Sequence, residues 1–199
     1  GLLVDRVVEL VGFAGHAGEP GERPLTLAEW RQLYTQIERT AVGERTWPAL
    51  QDLELENGPA LRRGVVPIAI LDLSYDRIRN DASETGALTI RNGCLAPGTG
   101  SPFETRRLFA ASGLQDWTYH GESVSFRADR ANHLTNGRTQ GPLPAGDLTI
   151  DFDDGSGFVH VPWDHEHAVR YLTPGEKTVR VRLAGPDVVT HQDQVRHQP

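Results

Sequence analysis

Thr178-Val179-Arg180-Val181-Arg182-Leu183 decides the fold class of this 199-residue chain. Val179, Val181 and Leu183 fall on one side of an extended backbone and Thr178, Arg180 and Arg182 on the other, so the segment reads as a strand with one buried and one wet face. Short runs precede it at Val124 to Ala128, Leu148 to Phe152, Phe158 to Trp163 and Ala168 to Tyr171. Turn pairs stand between them at Asn136-Gly137, Asp154-Gly155 and Pro174-Gly175. Strands at this spacing with no helix between them predict an antiparallel β-sandwich.

Further upstream the pattern is mixed. Thr26-Leu27-Ala28-Glu29 is a capping box, in which the threonine oxygen accepts from the Glu29 amide and the glutamate reaches back to the Thr26 amide. Leu27, Trp30, Leu33, Tyr34, Ile37 and Ala41 then recur at steps of three and four, predicting one amphipathic helix that ends near Gly43. Val65 to Leu71 is a continuous apolar run, as expected of a strand buried on both faces, with Pro67 near its start. Ala87 to Ile90, closed by Asn92-Gly93, and Arg107 to Ala111 are further strand candidates. Val4 to Phe13 reads as a short helix or strand, and Gly12 to Pro24 as irregular.

Composition narrows the function classes. The 20 basic and 27 acidic residues leave a formal net charge of −7, and the arginines are dispersed among carboxylates, so no nucleic-acid partner is expected. No apolar run approaches the roughly 18 residues of a membrane-spanning helix. A single cysteine, Cys94, excludes an internal disulfide, and it is expected to be a small buried hydrophobe. The chain begins Gly1-Leu2-Leu3 and contains no methionine, so it is expected to be processed or excised from something longer.

Candidate chemistry is sparse. Asp151, Asp153 and Asp154 ahead of Gly155 invite calcium, but the fifth position from Asp151 is a glycine rather than an oxygen donor. The leading expectation is therefore a structural Asp154-Gly155 hairpin turn, with Asp151 and Asp153 sharing one strand face. His165 and His167 in Trp163-Asp-His-Glu-His167, with His160 as a third ligand, make zinc or nickel the metal alternative, against a solvated loop. No cofactor is expected, calcium and zinc being the alternatives. Trp117, Tyr119 and Trp163 are a candidate sugar-stacking surface, although aromatics in a β domain are more often core, which is the leading expectation for them. Asp72 and Asp76 are a candidate acid/base pair without an identified partner. Ser74, Ser112, Ser123 and Ser156 lack the setting of a nucleophile elbow, so no catalytic residue is assigned.

Leu148-Thr-Ile-Asp-Phe-Asp-Asp-Gly-Ser-Gly157, followed by Tyr171-Leu-Thr-Pro-Gly-Glu-Lys-Thr-Val-Arg-Val-Arg-Leu183, resembles the PKD family of Ig-like β-sandwiches. Asp151, Phe152, Asp154, Gly155, Tyr171, Gly175, Val179 and Val181 fall on that family's pattern, while Asp153 replaces its usual first glycine and Ile150 its usual tryptophan. The resemblance covers roughly residues 120 to 185. The order of features from Trp30 through Val66–Tyr75 and Ser101–Thr105 is similar to the N-terminal region of large secreted bacterial proteins.

The resemblance implies a mainly β chain, an Ig/PKD-like antiparallel β-sandwich preceded by a mixed α+β region with one amphipathic helix. The expected division is residues 1–115 for the mixed region, 116–190 for the sandwich and 191–199 for a polar tail or linker. The implied role is a non-catalytic module of an exported bacterial cell-surface or secreted protein, acting in adhesion, assembly or presentation of another domain. Its expected partners are other protein domains or subunits at a cell surface, with glycans the alternative. A metal-binding protein or metal-dependent hydrolase and a carbohydrate-binding module are the competing readings.

Overall fold

A computed structural model describes residues 25–40, 47–115, 119–135, 148–183 and 189–198 of the chain. The expected elements at Val4 to Phe13 and Gly12 to Pro24, the helix end at Ala41 and Gly43, and the Asn136-Gly137 turn lie outside the described residues. Two helices come first, α1 (Leu27–Thr40) and α2 (Leu50–Arg62). The strands begin with β1 (Val65–Ile78), β2 (Leu88–Arg91), β3 (Cys94–Pro97), β4 (Phe103–Gly113), β5 (Tyr119–His120), β6 (Ser123–Thr135) and β7 (Leu148–Asp151). The series continues with β8 (Phe158–His160), β9 (Glu166–Arg170), β10 (Gly175–Leu183) and β11 (Val189–Gln198). The described chain is mainly β.

The capping box forms as its chemistry dictates. Glu29 accepts from the Thr26 amide at 2.9 Å, and the Glu29 amide donates to Thr26 Oγ1 at 3.3 Å. Leu27, Trp30, Leu33, Tyr34 and Ile37 are buried, and the Trp30 indole N–H donates to the Ala110 carbonyl at 3.3 Å. Helix α2 carries no sequence expectation. It lacks a side-chain cap at Ala49 and holds Pro59 in its interior, yet it is tied to α1 by the Arg31–Glu54 ion pair at 2.6 Å.

One sheet has the order β4-β1-β6-β9, another β5-β11-β10-β7-β8, and β2 and β3 form a separate hairpin. The residues from Val65 to Leu73 are all buried, as the continuous apolar run requires. Val66, Ile68 and Ile70 join Phe109, Phe126, Ile150, Val179 and Val181 in a core shared by the two large sheets. Ala69, Leu71 and Leu73 join Trp30, Leu33, Tyr34 and Leu53 in a second core beneath the helices. Pro67 lies one residue before the β4 pairing begins at Ile68↔Gly113, where its missing N–H removes nothing from that ladder.

Three sequence expectations are corrected here. The sheets are mixed rather than antiparallel throughout, because β1 runs parallel to β6 and β11 parallel to β5. The intervening β4 provides the long crossover that a parallel β1–β6 pair needs. The boundary expected between residues 115 and 116 does not divide the sheets, since β1 and β4 share one with β6 and β9. The expected tail at 191–199 contributes to β11, whose backbone pairs with β10 from Leu183↔Val189 to Gly175↔His197. The open hydrogen-bonding edge of β10 is what a polar segment needs to become a strand.

A wide bulge in β6 sets which of its side chains reach each core. Ile68 pairs with Ala128 and Ile70 with His133, so Ala69 alone opposes Asp129, Arg130, Ala131 and Asn132. Three extra residues, an odd number, invert the side-chain phase of the strand. Val124, Phe126 and Ala128 accordingly face the core between the sheets, whereas Leu134 faces the helices.

Candidate functional site

The aspartate loop is built by backbone geometry that few side chains adopt. Strand β7 stops at Asp151, and Asp153 (φ 58°) and Gly155 (φ 92°) then take left-handed conformations. Asp153 is therefore not on a strand face beside Asp151, and the connection from β7 to β8 is a loop over Phe152 to Gly157 rather than a two-residue turn. Each carboxylate is engaged. Asp151 accepts from the Asp153 amide at 3.0 Å and from Arg180 at 3.1 Å. Asp153 accepts from the Thr178 amide at 3.1 Å. Asp154 accepts from the Ser156 amide at 2.9 Å and its hydroxyl at 3.2 Å.

Tyr171 closes this loop from below. Its hydroxyl donates to the Phe152 carbonyl at 2.8 Å, and its own amide donates to the Glu122 carbonyl at 2.9 Å. Burial holds the phenol well above its ordinary titration range, and the negative charges of Asp154, Asp153 and Asp151 add to the effect. Phe152 in turn packs on Phe126 at 4.9 Å and lies flat against the His167 ring at 5.0 Å.

The histidines do not converge. His160 stands exposed on β8 in the five-stranded sheet, while His167 sits on β9 in the four-stranded sheet. Between Trp163 and His165 the chain turns through Asp164 (φ 64°), leaving His165 exposed. Asp164 clamps the β6 bulge by accepting from the Arg130 amide at 2.9 Å and from its guanidinium, while the Asp164 amide donates to the Ala128 carbonyl. Among the described residues, no three histidine, cysteine, aspartate or glutamate side chains are arranged to hold a metal ion.

Of the aromatic trio, Tyr119 and Trp163 are among the described residues, and both pack against the core. Trp163 is 6% exposed and belongs to the core between the sheets, so it does not line a stacking face. Tyr119 packs, half-buried, against the same core, and Trp117 lies outside the described residues. Cys94, expected inside, is exposed at the start of β3, because the Asn92-Gly93 turn places it at the tip of an outlying hairpin.

The structure separates Asp72 from Asp76. Asp76 is exposed and accepts from the Thr105 hydroxyl at 2.7 Å. Asp72 is buried, with an oxygen 3.7 Å from Nε2 of His133. Nothing in the local sequence marks His133; the phase inversion of β6 turns it to the side of Ile70, its ring 5.7 Å from that of Trp163. With side-chain exposures of 2% and 10%, this pair is shielded from any dissolved substrate. Ser112 is fully buried and donates to the Gly113 carbonyl, and Ser156 is held by Asp154.

Compared with models of known protein families, with curated proteins and with solved structures, the chain matches none.

Proposed function

We propose that the chain is a non-catalytic, PKD-like β-sandwich module of an exported bacterial cell-surface or secreted protein, acting in adhesion, assembly or presentation of another domain. The observation that carries this reading is the loop over Phe152 to Gly157. Its two aspartates, Asp153 and Asp154, and Asp151 just before it accept hydrogen bonds from the protein's own backbone or from Arg180, and Tyr171 latches it from below. Carboxylates engaged in this way build a loop. The sequence resemblance at Asp151, Phe152, Asp154, Gly155 and Tyr171 falls on those same residues. The aromatic and histidine clusters agree, since Trp163 is core and His167 is a packing partner of Phe152.

Two measurements test the proposal. Elemental analysis of protein purified without a histidine tag is expected to find no stoichiometric metal; one equivalent of zinc or calcium would overturn the reading in favour of a metal-dependent protein. Antibodies raised against the chain are expected to label intact producing cells or their medium, and labelling only after lysis would overturn the exported role.

A further inference from the structure

The dipeptide Asn-Gly occurs three times in the chain, at Asn57-Gly58, Asn92-Gly93 and Asn136-Gly137, the last outside the described residues. The fold gives the first two opposite surroundings. Asn57 is 6% exposed, and its side-chain amide donates to the Leu53 carbonyl at 2.8 Å and to Asn132 at 3.0 Å while accepting from Asn132 at 2.8 Å. Gly58 lies inside α2, whose hydrogen-bond ladder fixes its backbone. Asn92 and Gly93, by contrast, are both exposed and form the two-residue turn between β2 and β3, closed by the Arg91↔Cys94 pair.

Asn92 (φ 52°) and Gly93 (φ 77°) are both left-handed, the pattern of the hairpin turn that this dipeptide favours. A Cβ built at Gly93 would meet nothing within 4 Å, so the residue stands in open space. Among the described residues β2 and β3 pair only with each other, and a two-stranded ribbon is marginally stable by itself. Ile90 and Leu95, opposite one another one step before the turn, are 75% and 65% exposed, so little apolar burial holds the tip closed. Opening this tip costs little, whereas freeing Asn57 requires α2 to come apart.

We propose that Asn92 is a site of spontaneous covalent modification, at which the hairpin tip opens and the Asn92 side chain closes onto the Gly93 nitrogen, while Asn57 is spared. The Gly93 nitrogen gives its proton to hydroxide or a buffer base and attacks Asn92 Cγ, with no Cβ on the glycine to hinder the approach. The Cγ–N bond forms, the Cγ–Nδ2 bond breaks, and Nδ2 takes up a proton and leaves as ammonia. The resulting five-membered ring fixes the rotation about the Asn92 Cα–C bond at a value outside the left-handed turn, which is why the tip must open first. Water then opens the ring at either carbonyl. Breaking the bond from Gly93 nitrogen to Asn92 Cγ gives aspartate, and breaking its bond to the Asn92 backbone carbon gives isoaspartate. Either product adds a negative charge beside Arg91, and isoaspartate also lengthens the turn by one backbone methylene, offsetting β3 against β2. This inference stands independently of the exported-module reading.

The test uses the full chain, incubated folded at mildly alkaline pH, digested with trypsin and mapped by mass spectrometry, with isoaspartate detected by an isoaspartyl methyltransferase. Cleavage after Arg91 and Arg106 leaves Asn92 as the one asparagine of its peptide, and cleavage after Arg45 and Arg62 does the same for Asn57. In the folded protein Asn92 is expected to convert about tenfold faster than Asn57 or more. In urea the gap is expected to close, since the two sites share the same dipeptide. Gly98→Ala, which loosens the base of the hairpin, is expected to raise the Asn92 rate severalfold and leave Asn57 unchanged. Absence of conversion at Asn92 in the folded protein, conversion of Asn57 at the same rate, a gap that persists in urea, or an unchanged Asn92 rate in Gly98→Ala would each overturn the proposal.

Discussion

Asn57 on α2 and Asn132 on β6 exchange two side-chain hydrogen bonds inside the protein, Asn57 Nδ2 donating to Asn132 Oδ1 at 3.0 Å and Asn132 Nδ2 to Asn57 Oδ1 at 2.8 Å. The second Asn57 donor is satisfied by the Leu53 carbonyl at 2.8 Å. The pair pins the helix layer to the sheet at one register, because a buried amide displaced from its partner loses hydrogen bonds that water cannot replace. Asn132 reaches it only because the bulge turns that part of β6 toward the helices.

Replacing one member strands the other. Asn132→Leu is expected to cost about 1–3 kcal/mol in urea denaturation, and Asn57→Leu a similar amount. The double variant Asn57→Leu with Asn132→Leu should be more stable than the sum of the two losses, with a coupling of about 0.5–3 kcal/mol; strict additivity would mean that the two amides do not act as a pair.

Tyr171→Phe removes the donor to the Phe152 carbonyl and is expected to destabilise the protein by about 1–3 kcal/mol. The same residue links stability to alkaline pH. Its titration is raised in the folded state, so its contribution is complete below the ordinary tyrosine value of 10.0 and is lost progressively as pH rises beyond it. Denaturation profiles between neutral pH and pH values above 10 should fall more steeply for the native protein than for Tyr171→Phe.

Asp153 combines a left-handed backbone with a side chain that caps the Thr178 amide. Asp153→Ala loses the acceptor and keeps the strain, for an expected cost of about 1–3 kcal/mol. Asp153→Gly loses the acceptor but relieves the backbone, and thermal melts should place it between Asp153→Ala and the native chain.

The connection from β1 to β4 carries the β2–β3 hairpin, and its base is closed at Gly98. A Cβ built there would lie 1.9 Å from the Gly86 carbonyl oxygen, a backbone atom that cannot swing aside. The Gly98 amide also donates to the Ala87 carbonyl at 2.9 Å, and the Thr99 amide to the Gly86 carbonyl at 3.0 Å. Gly98→Ala is expected to open this base at a cost of about 1–3 kcal/mol. Amide hydrogen exchange should accelerate from Leu88 to Pro97 while the β1–β6 ladder keeps its protection; unchanged exchange in the hairpin would contradict the close approach.

Much of the fold is legible residue by residue. The helix start at Thr26, the doubly buried run from Val65 and the alternation from Thr178 to Leu183 each report their surroundings through local spacing. Helix α2 is obscured because Gly58-Pro59 carries a turn signature, and its burial of Leu53 and Asn57 is what overrides it. Strand β11 is obscured because its polar composition carries no sign of the β10 edge that pairs with it. The candidate sites were legible as residue types and not as chemistry. The same three aspartates spell a calcium loop or a hydrogen-bonded turn, and the difference lies in the Ser156, Thr178 and Arg180 donors that meet them.

By itself, then, the sequence determined the local elements: a capped helix, short strands of period two and glycine-bearing turns, on a chain of formal net charge −7. Tertiary structure alone decided that β1 lies parallel to β6, that three extra residues invert the face of that strand, that Trp163 is core, and that Arg180 pairs with Asp151 while Arg182 stacks on Phe158. Periodicity records how many faces of a segment are buried. Which segment buries them, and whether a polar group meets a donor there, depends on contacts between residues far apart in the chain.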